Sequence, residues 1–192
     1  MPDNTDHDLL QIAKDAALAA GEAIMRLYDV GDFESYQKAD ESPVTSADYK
    51  ANEIITDILT RMSPDIPILS EETKHASLEE RKTWKRYWLI DPIDGTQEFI
   101  ARSGDFAVNI ALIEDNKPKI GVIFWPPGQS LYYALTGHGA FKDSPEASGP
   151  ISVRKLDDPH NSVVILAISR RQPRERVISK LCAKRVYQTL PL

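Results

Sequence analysis

The spacing of the apolar residues changes at Pro64 and Pro67, and that change constrains the fold more than any other feature of the chain. Before it, apolar side chains recur at three- and four-residue steps. Leu9, Ile12, Ala13, Ala16, Ala20 and Ile24 form one stripe, which predicts an amphipathic helix over residues 8–28, capped by Asp6 and stopped by Gly31. Ala47, Ala51, Ile54, Ile55, Ile58 and Leu59 form a second, which predicts a helix over residues 46–62. Residues 32–43, between the stripes, are polar and read as a hairpin or loop. Each proline lacks an N–H and pushes the residue before it to extended geometry, so the second helix ends there.

Beyond the prolines the apolar residues come in short runs, at 66–69, 87–90, 106–113, 120–125, 131–135 and 139–142, which predict strands. The polar residues 114–118 make a hairpin turn, and Ser77-Leu-Glu-Glu80 is a capping box for a short charged helix ending near Arg86. A Ser/Pro/Gly loop at 143–150 is the best boundary. After it come a strand at 162–168, a basic helix over about 173–185, and residues 186–192 with no periodicity. Helices on both sides of a run of strands predict a layered α/β (α+β) sandwich. The expected division is an N-terminal α+β domain at 1–145 and the start of a C-terminal α/β domain at 146–192.

Composition removes several classes. A chain of 192 residues with 42% hydrophobic side chains can bury a core without staples. Its one cysteine, Cys182, allows no internal disulfide and no four-thiolate zinc site. No apolar run approaches the ~20 residues of a membrane span, and the acidic N-terminus is unlike a secretory signal, so a cytoplasmic location is expected, with peripheral inner-membrane association left open. A net charge of −6 gives no reason to expect nucleic acid as a partner. The charge is uneven, however: residues 1–150 carry 14 basic and 26 acidic side chains, and residues 151–192 carry nine basic and three acidic. An acidic body suits divalent cations, and a basic end suits an anionic substrate or a solvated helix face.

Two acidic pairs follow predicted strands: Glu71 and Glu72 after the run at 66–69, and Asp91 and Asp94 after the run at 87–90. Hard oxygen donors without histidine or thiolate favour Mg2+ or Mn2+ over zinc. Pro92 stiffens the segment, Gly95 permits a reversal, and a helix starting at Thr96 would offer free N–H groups to a phosphate. Each piece alone has a plain reading. Glu71-Glu72 can be a solvated loop, Asp91-Pro-Ile-Asp-Gly-Thr96 an ordinary turn, and Thr45-Ser-Ala-Asp48 a capping box and no more.

Together they resemble one family. The string Trp88-Leu-Ile-Asp-Pro-Ile-Asp-Gly-Thr96 is similar to the signature of the lithium-sensitive, Mg2+-dependent phosphomonoesterases of the inositol monophosphatase superfamily. The segments at 38–48, 69–72, 97–100 and 104–112 are most similar to its CysQ-like branch of 3′(2′),5′-bisphosphate nucleotidases. The resemblance implies the sugar-phosphatase type of sandwich, two or three Mg2+ ions, and a small phosphorylated substrate. Adenosine 3′,5′-bisphosphate would be hydrolysed to AMP and phosphate, a link to sulfate assimilation, with inositol monophosphatase activity as the alternative. It further implies that Glu71, Asp91, the Ile93 carbonyl and Asp94 ligate metal, with Asp91 bridging. Asp48 and Thr96 would activate the attacking water, and Glu72 would act behind them. Glu71, Ile93, Asp94, Gly95 and Thr96 make the substrate-binding set, with the Gly95 and Thr96 N–H groups on the phosphate.

Two departures accompany the resemblance. The family's later Trp-Asp motif, which supplies another ligand of the second metal, is absent from the chain, and residues 168–173 differ from the branch pattern. These departures lead to the expectation of an incomplete C-terminal domain, to a non-enzymatic alternative, a truncated metal-binding paralogue, and to self-association through apolar strand surface at 163–168.

Overall fold

The computed structural model describes residues 5–39, 41–73, 76–153, 155, 164–168 and 187–191, the last two segments as backbone. It divides into two units, Met1–Ile151 and Ser152–Leu192.

The first unit begins with helix α1 (Asp6–Val30). Thr5, not Asp6, is its N-cap: the Thr5 hydroxyl accepts from the Asp8 N–H, and the Asp8 side chain returns the bond in a capping box. Gly31 ends the helix in the left-handed region at φ 74°, as its position predicted. Strands β1 (Ser35–Gln37) and β2 (Pro43–Thr45) pair as a small antiparallel hairpin, leading into helix α2 (Ser46–Met62).

A seven-stranded sheet follows in simple sequence order: β3 (Ile68–Ser70), β4 (Arg86–Asp94), β5 (Ala107–Glu114), β6 (Lys117–Trp125), β7 (Ser130–Leu135), β8 (Gly139–Asp143) and β9 (Ser148–Ile151). Only β3 and β4 run parallel, and every later neighbour is antiparallel. Asp115 and Asn116 link β5 to β6 with φ 48° and 60°, the tight turn whose hand matches strand twist. Helix α3 is a single turn (Leu78–Arg81), shorter than expected, and α4 (Thr96–Ile100) follows β4.

Helices α1 and α2 cover one face of the sheet. Their alanine-rich stripes let the backbones approach closely, and Trp88, Phe99, Ile110, Leu112 and Ile120 fill the space between. The Trp88 indole N–H reaches the Ser63 hydroxyl at 3.0 Å and fastens β4 to the end of α2.

Three expectations change. Strand β4 runs on through Asp94, so the two aspartates lie within the strand and not after it. The first unit extends to Ile151 because β9, inside the expected loop at 143–150, pairs with β8. The terminal segment expected to be featureless contains strand β11 (Tyr187–Pro191), which pairs in parallel with β10 (Val164–Ile168) in the second unit. The basic helix near 173–185, Cys182 and the side chains at 163–168 lie outside the described residues. No helix among the described residues is long and apolar enough to cross a membrane.

Candidate active site

Residues three apart on a regular strand point to opposite faces, so Asp91 and Asp94 could not share a centre in an unbroken β4. The register resolves this. Asp91 stands opposite Asn109 and Asp94 opposite Ala107, so three steps on β4 face two on β5. The extra residue is a bulge. Asn109 and Ala107 share a face of β5, and the bulge brings both aspartates to that side. Pro92, which cannot donate to a ladder, sits inside the bulge where no donor is needed.

This is the face that the helices leave open. It forms a cleft of about 600 Å³, lined by Ser70, Glu71, Leu89, Asp91, Asn109 and Ile123 among others. Glu71 is placed beside β4 by its own N–H, which donates to the Ile90 carbonyl at 3.2 Å. The Glu72 N–H donates to the Ser70 hydroxyl, and that hydroxyl donates to Asn52 on α2 at 2.6 Å.

Asp48 reaches the same region from α2. It is buried, and one oxygen, Oδ2, accepts from the Thr45 N–H at 2.8 Å and the Thr45 hydroxyl at 2.5 Å. The capping box expected at Thr45 is present. It leaves the other oxygen, Oδ1, for the Thr96 hydroxyl at 3.1 Å, and Thr96 Oγ1 also lies 3.1 Å from the Ile93 carbonyl. Burial raises the Asp48 carboxyl above its ordinary range, against the lowering effect of these bonds. Gly95 makes the junction: its φ is 97°, and a Cβ there would meet the Asp105 carbonyl oxygen at 2.7 Å. Thr96 is thereby fixed as the first residue of α4.

The donor chemistry fits a hard divalent cation, because carboxylates and a backbone carbonyl gather with no histidine or thiolate. Asp91 stands among like charges. Burial, then repulsion from Glu71, Asp94, Asp48 and Glu72, pushes its pKa up to about 7. In this conformation no three acidic, histidine or cysteine side chains among the described residues are arranged to grip one ion. Lys38 instead lies between Glu71 and Glu72, with Nζ 2.7 Å and 2.6 Å from their carboxylates. Burial lowers the pKa of this ammonium, but the two glutamates outweigh it and raise the value above the ordinary one. Burial likewise raises Glu72, whose side chain is only 4% exposed, and Lys38 opposes that rise.

The structure thus brings Glu71, Glu72, Asp91, Asp94, Asp48, Thr96, Gly95 and the Ile93 carbonyl to one end of the sheet. Two further residues belong with them. Lys38 carried no local signal, being over thirty positions from its partners. Asn109 carried one, as the single polar side chain in the apolar run at 106–113.

The sequence profile of the Inositol monophosphatase family matches residues 5–189. The 3′(2′),5′-bisphosphate nucleotidase CysQ of Salmonella typhimurium is 43% identical over 171 residues, covering 88% of this chain and 67% of that protein. Its namesake from Aggregatibacter actinomycetemcomitans is 47% identical over 142 residues, covering 74% of this chain and 52% of that protein. Among solved structures, CysQ from Bacteroides thetaiotaomicron matches with a TM-score of 0.74 at 35% identity, over 95% of this chain and 71% of that one. An IMPase from Thermotoga maritima gives 0.73 at 25% identity, over 95% of this chain and 68% of that one. The chain therefore spans between about half and two thirds of the length of these curated relatives. A profile covering nearly every residue, on a sheet and helix pair that superpose on solved members, places the chain in the inositol monophosphatase family.

Proposed function

We propose that this chain carries the catalytic half-site of a Mg2+-dependent phosphomonoesterase acting on adenosine 3′,5′-bisphosphate, releasing phosphate from the 3′ position and leaving AMP. The observation that carries the chemistry is the hydrogen-bonded line from Thr45 through Asp48 to Thr96, beside an Asp91 crowded by the like charges of Glu71, Asp94, Asp48 and Glu72. The substrate follows from the activity that names relatives 43% and 47% identical to the chain.

Glu71, Asp91, Asp94 and the Ile93 carbonyl would hold the ions, two or three in number. Bound there, Mg2+ supplies charge neutralisation of the phosphate and acidifies the attacking water. The protein's own residues order the proton. Thr96 Oγ1 donates to Asp48 Oδ1 and keeps lone pairs to accept a proton from water, so each proton taken at Thr96 can be passed to Asp48. A carboxyl raised by burial is the better base for that step. Its other oxygen stays bound to Thr45, so Asp48 does not swing away as its charge changes. Backbone N–H groups at Gly95 and Thr96 would face the phosphate oxygens.

The test is phosphate release from adenosine 3′,5′-bisphosphate and from inositol 1-phosphate, with and without Mg2+, beside an Asp91→Asn control. Mg2+-dependent release that favours the nucleotide and vanishes in the control is the expected result. Preference for the inositol ester transfers the reading to that branch. A folded, metal-binding chain that releases no phosphate from either ester overturns the reading in favour of a non-catalytic module.

A further inference from the structure

One polar group on the open face has no task in the reaction above. Asn109 lies directly across the β4–β5 ladder from Asp91, and its Nδ2 donates to Asp94 Oδ2 at 3.0 Å. That bond fixes which way the amide faces, because a carboxylate only accepts and only the nitrogen end donates. The opposite end is therefore the carbonyl, and Asn109 Oδ1 is buried with no hydrogen-bond partner. An acceptor left so has given up its bonds to water and gained none in exchange. A strand seeking stability alone would place an aliphatic residue here, as β5 does at Val108 and Ile110 on its other face.

We infer that Asn109 is a positioning residue of the metal centre: its N–H fixes the Asp94 carboxylate, and its carbonyl, closed to solvent in the metal-free chain, would accept a hydrogen bond from a water carried by the ion once the ion is bound. The chemistry suits Mg2+, which gives up its waters reluctantly and keeps several when bound to protein. It also suits the amide, an uncharged side chain that can donate to a ligand carboxylate at one end and accept from a water at the other. A carboxylate at this position would repel Asp94, and a lysine or arginine would donate without accepting. Partners of this kind orient a ligand, and their loss typically weakens metal binding about 10- to 100-fold. The inference rests on the metal-centre reading of Asp91 and Asp94.

The test titrates Mn2+ into the full chain and follows the free ion by electron paramagnetic resonance. The parent is compared with Asn109→Leu and Asn109→Ser, and the melting temperature of each metal-free protein is recorded. The leucine variant is nearly isosteric and removes the orphaned acceptor, so its metal-free melting temperature is expected to hold or rise. Its Mn2+ affinity is expected to fall at least about tenfold. Serine keeps a group that both donates and accepts, and should recover part of that loss. A merely structural asparagine would give the reverse pattern, a lower melting temperature with Mn2+ affinity within about twofold of the parent, and that result overturns the role. If the leucine variant does not fold, serine affinity equal to the parent's overturns it, and a clear loss supports it. A parent that binds no Mn2+ is a different failure, since it removes the metal centre itself.

Discussion

The two faces of the seven-stranded sheet are made by the same strands and obey different rules. On the face toward α1 and α2, Ile90, Ile110 and Leu112 are buried among apolar neighbours, and the packing is close enough that Gly21 could not carry a Cβ without meeting the Phe124 ring. On the other face, one residue along each strand, stand Leu89, Asp91 and Asn109, with like charges adjacent and an acceptor unpaired. The pleat makes this possible, since alternate residues answer to separate environments. Stability is concentrated on the covered face, and the open face tolerates electrostatic strain because the fold does not depend on it.

The sharpest way to break this contrast is Asp91→Asn. In the proposed reaction it should reduce Mg2+-dependent phosphate release about a thousandfold or more, roughly 4 kcal/mol of transition-state stabilisation. On the covered face Leu112→Ala should instead lower folding free energy by about 2–5 kcal/mol, measured by urea denaturation. Its open-face counterpart Leu89→Ala, already 41% exposed, should cost less than about 1 kcal/mol. Equal losses from the two leucines would mean that both faces support the fold. At the junction, Gly95→Ala must adopt a left-handed φ against the Asp105 carbonyl, and about 1–3 kcal/mol of destabilisation is expected in the same assay.

The smallest effect has the opposite sign. Because the Asp91 pKa is raised to about 7 in the folded chain, the folded state holds that proton more tightly than the unfolded chain does. Metal-free protein should therefore gain stability as pH falls through about 7 toward the unfolded carboxyl value near 4, and lose it as pH rises. Asp91→Asn should flatten this part of the profile and stabilise the metal-free chain above about pH 7. The gain should be only about 1 kcal/mol, because solvent screens a part-buried group. Calorimetry at several pH values reads both the slope and its loss. A profile unchanged by the substitution would place the repulsion elsewhere in the cluster.

Local signals in the sequence were legible where local chemistry decides. Helix α2 begins and ends as predicted because Thr45 and Asp48 close its first turn and Pro64 follows its last. The cap of α1 falls one residue before the Asp6 expected, at Thr5, which with Asp8 spells the capping box that decides it. The pairing-dependent features escaped. A bulge exists only relative to the partner strand, so Pro92 read as a turn, and β11 is defined by its pairing with β10 and not by any periodicity of its own. The site was legible as a set of residue types because its motif is compact between Asp91 and Thr96. The restraints on that set were not, since Lys38 and Asn109 reach it from other strands and loops.

The bulge in β4 also sets a rule of parity for the chain. Asp91 and Asp94 are an odd number of steps apart along the backbone and an even number apart across the sheet, and only the one surplus residue reconciles the two counts. Losing or gaining a single residue between them would send one aspartate through the sheet to the helix side, where a carboxylate would meet hydrocarbon alone. This interval is therefore closed to insertion and deletion, the more so because Ile93 within it is buried in the core. Length variation in the first unit belongs instead at exposed turns such as Ser144–Ala147, where an added residue changes no strand's sense of inside and outside.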